Sequence, residues 1–375
     1  MKWIECTLGD ILNFRRGYDL PHSEMSGGDI PVAGSNGVIG YHNKATDISP
    51  VITIGRSGNV GTPYIYDRAW AHNTTLFIDD FKGNDPLYLY YLIKTLPLAS
   101  FGGGSAVPTL NRNHIHPLIV KHCPDVEEQK RIASFLNAFD EKIELNKRIN
   151  HNLEDQAHAL YKSWFVDFEP FRDGKFMDSE LGIIPEGWHV LPFSEFAQIS
   201  NEKVDSEFIP EFSVTNTGII PRDARFNKQL SSSSLKNKII RKGDLVFGMS
   251  REILNWGIMS DMVGGVSSAY TVYRIDKQII DEVYLRLFIQ HHPGYFKDLI
   301  RPAAREGQGI DKKVLASKRV FIPDVPTWIR FQEKVNSLVL AQHQMADQTE
   351  LLTSLRDEIL PILMDQSSST KQLNC

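Results

Sequence analysis

Apolar and polar positions change rhythm twice along the chain. Residues 1–125 carry short apolar runs, among them VITIG (51–55), LFID (76–79) and HPLIV (116–120), separated by Gly, Pro, Thr and Asn. Such punctuation predicts short strands and turns with a few helices. At residue 126 the texture switches. The stretch EEQKRIASFLNAFDEKIELNKRINHNLEDQAHALYKSWF (127–165) contains no Gly or Pro. Within it Ile132, Leu136, Phe139, Ile143, Asn146, Asn150, Leu153, Ala157, Leu160 and Trp164 recur at spacings of four and three. That is an a/d seam with two polar interruptions, and it predicts one long helix, about 58 Å at about 1.5 Å per residue.

The plan then repeats. A connector with Gly and Pro (168–188) leads to a second mixed block, 189–325, with its own apolar runs LVFG (245–248) and YTVYRI (270–275). The stretch 328–360 predicts a second long helix, with Val335, Leu338, Met345, Leu352, Ile359 and Leu363 on a comparable seam interrupted by Gln342, Thr349 and Arg356. The halves also correspond locally. PLIVKHCPDVEEQKRI (117–132) matches KRVFIPDVPTWIRFQEKV (318–335), VITIGRSGNV (51–60) matches DLVFGMSREI (244–253), and LYLYYLIKTL (87–96) matches VYLRLFIQHH (283–292). The expected organisation is a first block at 1–125, a spacer helix at 126–166, a connector and second block at 167–325, a second spacer helix at 326–366, and a polar, disordered tail at 367–375.

Burying apolar surface is worth about 25 cal/mol per Å², so neither seam is expected to stay in water. Two equivalent helices in one chain satisfy each other if they pair as an antiparallel coiled coil. The pairing positions are then Ile132, Leu136, Phe139, Ile143, Leu153 and Leu160 on one helix, and Val335, Leu338, Met345, Leu352 and Ile359 on the other. Asn146 and Asn150 favour one register. The fold class expected is α+β: two mixed α/β domains separated by two long antiparallel helices, with approximate internal two-fold symmetry.

Composition adds boundaries. A chain that is 42% hydrophobic and 23% charged has a globular core. Three scattered cysteines (Cys6, Cys123, Cys375) make no disulfide framework, which points to a reducing, cytoplasmic setting. The N-terminal MKWIECTLGD lacks an apolar signal region, and no run of about 18 apolar residues predicts a membrane span. The net charge of −5 is unevenly spread: residues 1–120 carry 9 basic and 10 acidic side chains, residues 186–322 carry 19 and 16, and the remainder 13 and 20. The acidic excess therefore lies mainly outside the two blocks.

No catalytic apparatus is legible. There is no GxxxxGK[ST], GxSxG or HExxH, and the Gly55/Gly58/Gly61 and Gly102–Gly104 clusters read as turns. The acids of PDVEEQK (124–130) are partners for a helix N-terminus. Alternation along a strand would put His114 and His116 on one face near His122 and Cys123, yet no further ligands follow at metal spacing, so no metal is expected. Binding is the better category.

Two similar blocks on a long spacer suit a linear target such as double-stranded DNA, whose groove repeats about every 34 Å. Readers of DNA use Arg for guanine, Asn or Gln for adenine, and Ser or Thr for phosphates. Such residues cluster on the glycine-punctuated loops: Ser35, Asn36, Arg56, Ser57, Asn59, His72, Asn73, Thr74, Asn111 and Arg112 in the first block. In the second block they are Thr215, Asn216, Arg222, Arg225, Ser250, Arg251, Asn255, Arg301 and Arg305. Alternative readings are a self-sufficient DNA-modifying enzyme, which the missing nucleotide and methyl-donor motifs oppose, and a coiled-coil scaffold for other proteins. Recurrence of these clusters in both halves favours DNA.

The features GSNGVIGYHN (34–43), PTLNRNHIHPLIVKHCPDVEEQKRIASFLNAFDEKIELN (108–146), LYKSWFVDFEPF (160–171) and SELGIIPEGWHV (179–190), in this order and with the duplicated helix, carry a likeness over nearly the whole chain. It resembles the specificity (S) subunits of type I restriction–modification systems. That resemblance implies two target-recognition domains, each reading one half of a split, asymmetric DNA sequence, with the helices as a ruler for the gap. It implies docking of two methyltransferase (M) subunits and later of restriction (R) subunits. It also implies that the chain is not itself catalytic: S-adenosylmethionine and ATP with magnesium belong to the partners, and this chain takes no cofactor. One departure is visible, because EEQKRIASFL in the first half has diverged to WIRFQEKVNSLV in the second.

Overall fold

A computed structural model describes residues 3–103, 109–205, 209–222, 234–250, 252–300 and 309–364. Contacts divide the chain into two units, Met1–Asn150 with His343–Cys375, and His151–Gln342. The expected tail at 367–375 lies outside the described residues.

In the first unit the order is β1 (Ile4–Thr7), α1 (Leu8–Ile11), β2 (Asn13–Arg16), β3 (Ile30–Gly34), β4 (Gly37–His42), β5 (Val51–Gly55), β6 (Pro63–Tyr66), β7 (Trp70–Ala71), β8 (Thr75–Asp80), α2 (Pro86–Lys94), α3 (Arg112–Ile115), β9 (Ile119–His122) and α4 (Val126–Phe165). The wholly buried VITIG strand β5 sits inside a four-stranded sheet ordered β2-β8-β5-β6, antiparallel throughout. A smaller sheet runs β4-β3-β7, and β1 pairs β9. Asp85 starts α2 by accepting the Tyr88 N–H at 2.8 Å, with Pro86 at the first position, where its missing N–H costs nothing. Tyr88 is fully buried, and its hydroxyl accepts the Cys123 N–H at 3.1 Å, tying α2 to the strand that feeds α4. Asp125 Oδ1 accepts from the Glu127 and Glu128 amides at 3.0 and 3.3 Å, so the acids of PDVEEQK do open a helix.

The second unit continues with β10 (Phe176–Ser179), β11 (Gly182–Pro185), β12 (His189–Pro192), α5 (Phe193–Phe196), β13 (Ala197–Ser200), β14 (Phe212–Thr215), β15 (Gly218–Pro221), β16 (Lys238–Arg241), β17 (Leu245–Phe247), β18 (Trp256–Ile258), β19 (Val263–Val266), β20 (Thr271–Ile275), α6 (Glu282–His291), α7 (Lys312–Ser317), β21 (Arg319–Ile322) and α8 (Val325–Leu363). Its main sheet, β13-β20-β17-β18, repeats the connectivity of β2-β8-β5-β6, and β12-β21 repeats β1-β9. The duplication reaches single hydrogen bonds. Asp281 caps α6 as Asp85 caps α2, and Tyr284, three residues on, donates its hydroxyl to the Phe321 carbonyl at 2.6 Å.

Each unit contains one half of a helix pair. In the first, Leu360 and Met364 share a core with Ile132, Ala133 and Leu136, Arg356 bonds Asp140, and Asn146 Nδ2 reaches Gln348 Oε1 at 3.4 Å. Rising numbers on α4 meet falling numbers on α8, so the pairing is antiparallel. In the second unit Trp164 and Phe165 meet Phe331 at ring distances of 6.0 and 4.7 Å, and Ala157 and Leu160 share a core with Val335, Leu338 and Val339. Of the expected seam, Ile132, Leu136, Ile143 and Val335 are buried. Phe139, Leu153, Leu160, Leu338, Met345, Leu352 and Ile359 are half-buried. Tyr161, Phe165, Phe331, Leu360 and Met364 are buried as well, because near the domains a helix faces a third element and its covered arc widens.

Candidate nucleic-acid interface

In the first unit, β5 ends at Gly55 and doubles back, with Gly61 N donating to the Gly55 carbonyl at 2.8 Å. A Cβ on Gly55 would fall 1.7 Å from the Asn59 carbonyl oxygen, so only glycine permits this turn. Arg56 follows, and both its backbone groups are spent: its N–H on the Thr74 carbonyl at 2.8 Å and its carbonyl on the Leu110 N–H at 2.7 Å. These bonds bring two distant loops, 72–74 and 109–112, against it.

Loop 72–74 is itself fixed. His72 Nδ1 lies 3.0 Å from Thr74 Oγ1 and Nε2 lies 3.2 Å from the Leu20 carbonyl. Burial pushes the His72 pKa down, favouring the neutral ring. The buried Ser35 donates Oγ–H to the Thr74 carbonyl at 3.0 Å, and Asn73 Nδ2 bonds Asp19. Asn111 caps α3 by accepting the Asn113 N–H at 3.0 Å, and Arg112 Nη1 donates to the Phe14 carbonyl at 3.1 Å.

The result is an open cleft of about 430 Å³ lined by Arg15, Arg16, Arg56, Thr109, Asn111 and Arg112, with no carboxylate among its lining residues. Each guanidinium is steadied from one side. Arg56 Nη1 is 3.5 Å from the Asn73 carbonyl, Arg15 lies over the Tyr18 ring at 5.4 Å, and Arg16 is 3.3 Å from Asp19. A guanidinium has five N–H donors, so one such tie orients it and leaves donors for an anion or a base edge.

The structure therefore gathers Arg56, Ser57, Asn73, Thr74, Asn111 and Arg112 around one region, although they are scattered in sequence. Ser35 and His72 serve as internal supports. Asn36 and Asn59 are exposed on turns, Asn59 accepting from Thr62 Oγ1 at 3.0 Å. Arg15 and Arg16 were not among the expected residues. The signal available for them was a pair of adjacent basic residues closing a strand just before Gly17.

In the second unit Thr215 and Asn216 form the tight turn between β14 and β15, with Thr215 and Thr217 hydroxyls 2.8 Å apart and Gly218 at φ +113°. Ser250 and Asn255 lock the loop after β17: Ser250 Oγ accepts the Asn255 N–H at 2.8 Å and Asn255 Nδ2 donates to the Met249 carbonyl at 2.6 Å. Arg222 donates to Ser213 Oγ at 3.0 Å. An open cavity of about 650 Å³ beside the 215–218 turn is lined in part by Asn216, Thr217, Trp256, Arg286 and Lys297. Arg225, Arg251, Arg301 and Arg305 lie outside the described residues.

One expectation is corrected. His114 does not alternate with His116 along a strand: His114 lies within the short helix α3, and His116 is its C-terminal cap. The Asn111 cap overrides the alternation. His116 Nε2 accepts the Phe14 N–H at 3.1 Å, and burial, with Arg112 nearby, lowers its pKa. Its imidazole thus braces β2 beneath the arginines.

Comparison with known proteins agrees with this architecture. The family described as "Type I restriction modification DNA specificity domain" matches residues 1–155. The type I restriction enzyme MjaIX specificity subunit of Methanocaldococcus jannaschii is 26% identical over 298 residues, 74% of this chain and 68% of that protein. The MjaVIII specificity subunit of the same organism is 24% identical over 310 residues, covering 77% and 72%. The HindI specificity subunit of Haemophilus influenzae matches a shorter stretch, 49 residues at 55% identity, 13% of this chain and 11% of that one. Among solved structures, the S subunit of a type I restriction–modification system from M. genitalium superposes with a TM-score of 0.59 over 96% of both chains at 15% identity, a likeness of fold.

Proposed function

We infer that this chain is a DNA-specificity subunit of a type I restriction–modification system, a protein without chemistry of its own. Its two mixed domains, at 1–125 and 167–325, each read one half of a bipartite, asymmetric duplex target. The spacer helices at 126–166 and 326–366 fix the number of base pairs between the halves. The helices also carry the docking surfaces for two methyltransferase subunits, onto which restriction subunits assemble. S-adenosylmethionine and ATP with magnesium are bound by those partners, in the cytoplasm where the DNA lies. No helix among the described residues is long and apolar enough to cross a membrane.

The observation that supports DNA reading most directly is the four-arginine cleft of the first unit, with its braced guanidinium groups and acid-free lining. Arg56, half-buried and tied by its backbone, is the base reader. Exposed Arg15, Arg16 and Arg112 hold the phosphates that set its register. Exposed apolar side chains support partner docking: Phe135 and Leu145 on α4 in the first unit, Ile329 and Leu340 on α8 in the second. In the second unit the candidates for readout are Thr215, Asn216, Arg222, Arg225, Ser250, Arg251, Asn255, Arg301 and Arg305.

The test is base-resolution mapping of methylation by the chain assembled with its methyltransferase partner. Arg56→Ala should cost about 1–3 kcal/mol at one base pair of one half-site and relax recognition there. The other half-site should be untouched. Unchanged specificity in both halves would remove the cleft from the account.

A further inference from the structure

Aligning Pro124-Asp125-Val126 with Pro323-Asp324-Val325 places each α4 residue 199 positions before its α8 counterpart. Burial agrees with that offset: Ile132 and Phe331, Leu136 and Val335, Tyr161 and Leu360, and Phe165 and Met364 are all buried. Because the helices pair antiparallel, any contact between them has a counterpart position related by the same offset. Many of these pairs of layers are apolar on both helices. In two, a polar side chain of α4 bonds a polar side chain of α8.

The first is built on Asp140 of α4. Its carboxylate accepts from Arg356 Nη1 on α8, from the Tyr91 hydroxyl on α2 at 2.7 Å, and lies 3.8 Å from Lys94 Nζ. The Arg356 and Asp140 side chains are only 15% and 26% exposed. Burial alone would raise the Asp140 pKa, but bonds from Arg356 and Tyr91 and the Lys94 charge hold it below the ordinary value. The counterparts of Asp140 and Arg356 are Val339 and Ala157, and aligning the capping residues Asp85 and Asp281 pairs Tyr91 with Leu287. All three belong to or pack against the apolar core of the second unit. The second layer is Asn146 with Gln348. Their counterparts are Met345 and Ile149. Each polar pair thus has one member on each helix, and each counterpart pair is apolar.

A duplicated chain has a competing way to bury its seams: α4 against α4 of a second copy, and α8 against α8. In the first exchange Asp140 meets Ala157, and Asn146 meets Ile149. In the second, Arg356 meets Val339, and Gln348 meets Met345. Each exchange removes the cross-helix bond. Asp140 keeps Tyr91 and Lys94, and Arg356 keeps Asp357, but each side chain then faces an apolar residue where it had its opposite charge. Asn146 and Gln348 lose each other. For side chains as little exposed as Asp140, Arg356 and Asn146 that loss is unfavourable. We propose that the Asp140–Arg356 and Asn146–Gln348 layers confine pairing to α4 with α8 and exclude the like-with-like pairing of α4 with α4 and α8 with α8 of a second copy. The apolar layers, which accept either arrangement, give affinity, and the two polar layers choose the partner. This holds whatever the two units bind.

The experiment copies the counterpart residues into the full-length chain with Tyr91→Leu, Asp140→Val, Asn146→Met, Gln348→Ile and Arg356→Ala. Wild type and variant are refolded from denaturant at high concentration, and their masses are measured by light scattering along a dilution series. Wild type should be monomeric throughout, and the variant should populate a species of twice the mass that persists on dilution. A monomeric variant, or a wild-type dimer in which α4 is cross-linked to α4, would overturn the proposal. A charge reversal gives a second route. Asp140→Arg alone should lose the folded monomer, to dimer or to unfolded chain, and adding Arg356→Asp should bring it back. A reversed pair that fails to restore what the single variant loses also overturns the proposal.

Discussion

Arg56 can serve a ligand because nothing about its position is left to the ligand to organise. Its backbone is bonded on both sides and its side chain is steadied by the Asn73 carbonyl, so little conformational entropy remains to be lost on binding. The supports of this cleft include histidines that work as neutral rings. Burial holds His72, His116, His122 and His291 below the ordinary histidine pKa of 6.5. An unfolded chain would protonate these rings near 6.5 while the folded one stays neutral, so the unfolded state binds more protons below that value. Their contribution to stability is complete above about pH 6.5 and declines as pH falls toward the folded pKa values. The melting temperature should therefore drop between about pH 7.5 and about pH 5.5, and His122→Phe, which removes a ring whose shift comes from burial alone, should flatten that slope. A melting temperature that rises on acidification would contradict the assignment of these rings as neutral.

At the scale of elements, the N-cap aspartates carry more than their own helices. Asp281 caps α6 through the Val283 and Tyr284 amides and is also 3.3 Å from Gln332 on α8. Asp281→Ala should cost about 1 kcal/mol in chemical denaturation followed at the second unit, and Asp281→Asn should recover most of it. An Asn variant no better than Ala would show that the cap is not what matters there. The strands VITIG and YTVYRI, both long helices, and the paired motifs opening them were legible because their signals are periodic or are repeated 199 residues apart. The helix α3 was not, since four residues hold no period and one Asn111 hydrogen bond decides the conformation. Arg15 and Arg16 were missed for a related reason: they end a strand, and only the shared cleft and the bond from Arg112 to the Phe14 carbonyl reveal what β2 faces. The α8 seam was harder to read than that of α4, because Leu340, Leu351 and Ile362 leave apolar side chains on its exposed side.

For the whole molecule, duplication is the organising fact. The same sheet order, the same capped helix with its buried tyrosine, and the same Pro-Asp-Val entry into a long helix occur twice in one chain. On the proposed function, two similar units on one polypeptide predict one target written in two parts, unlike in sequence because the loops differ between the units. Helix length should then control only the separation of the parts. Extending α4 and α8 by about four residues each, roughly one turn, should lengthen the gap and leave both half-sites as they were. The most direct measurement is methylation mapping of DNA from cells that express this chain with a candidate methyltransferase subunit, for wild type and for the extended helices. The account predicts a split, asymmetric motif whose gap alone grows in the extended form. A contiguous or palindromic motif, or half-sites that change when the helices are lengthened, would contradict it.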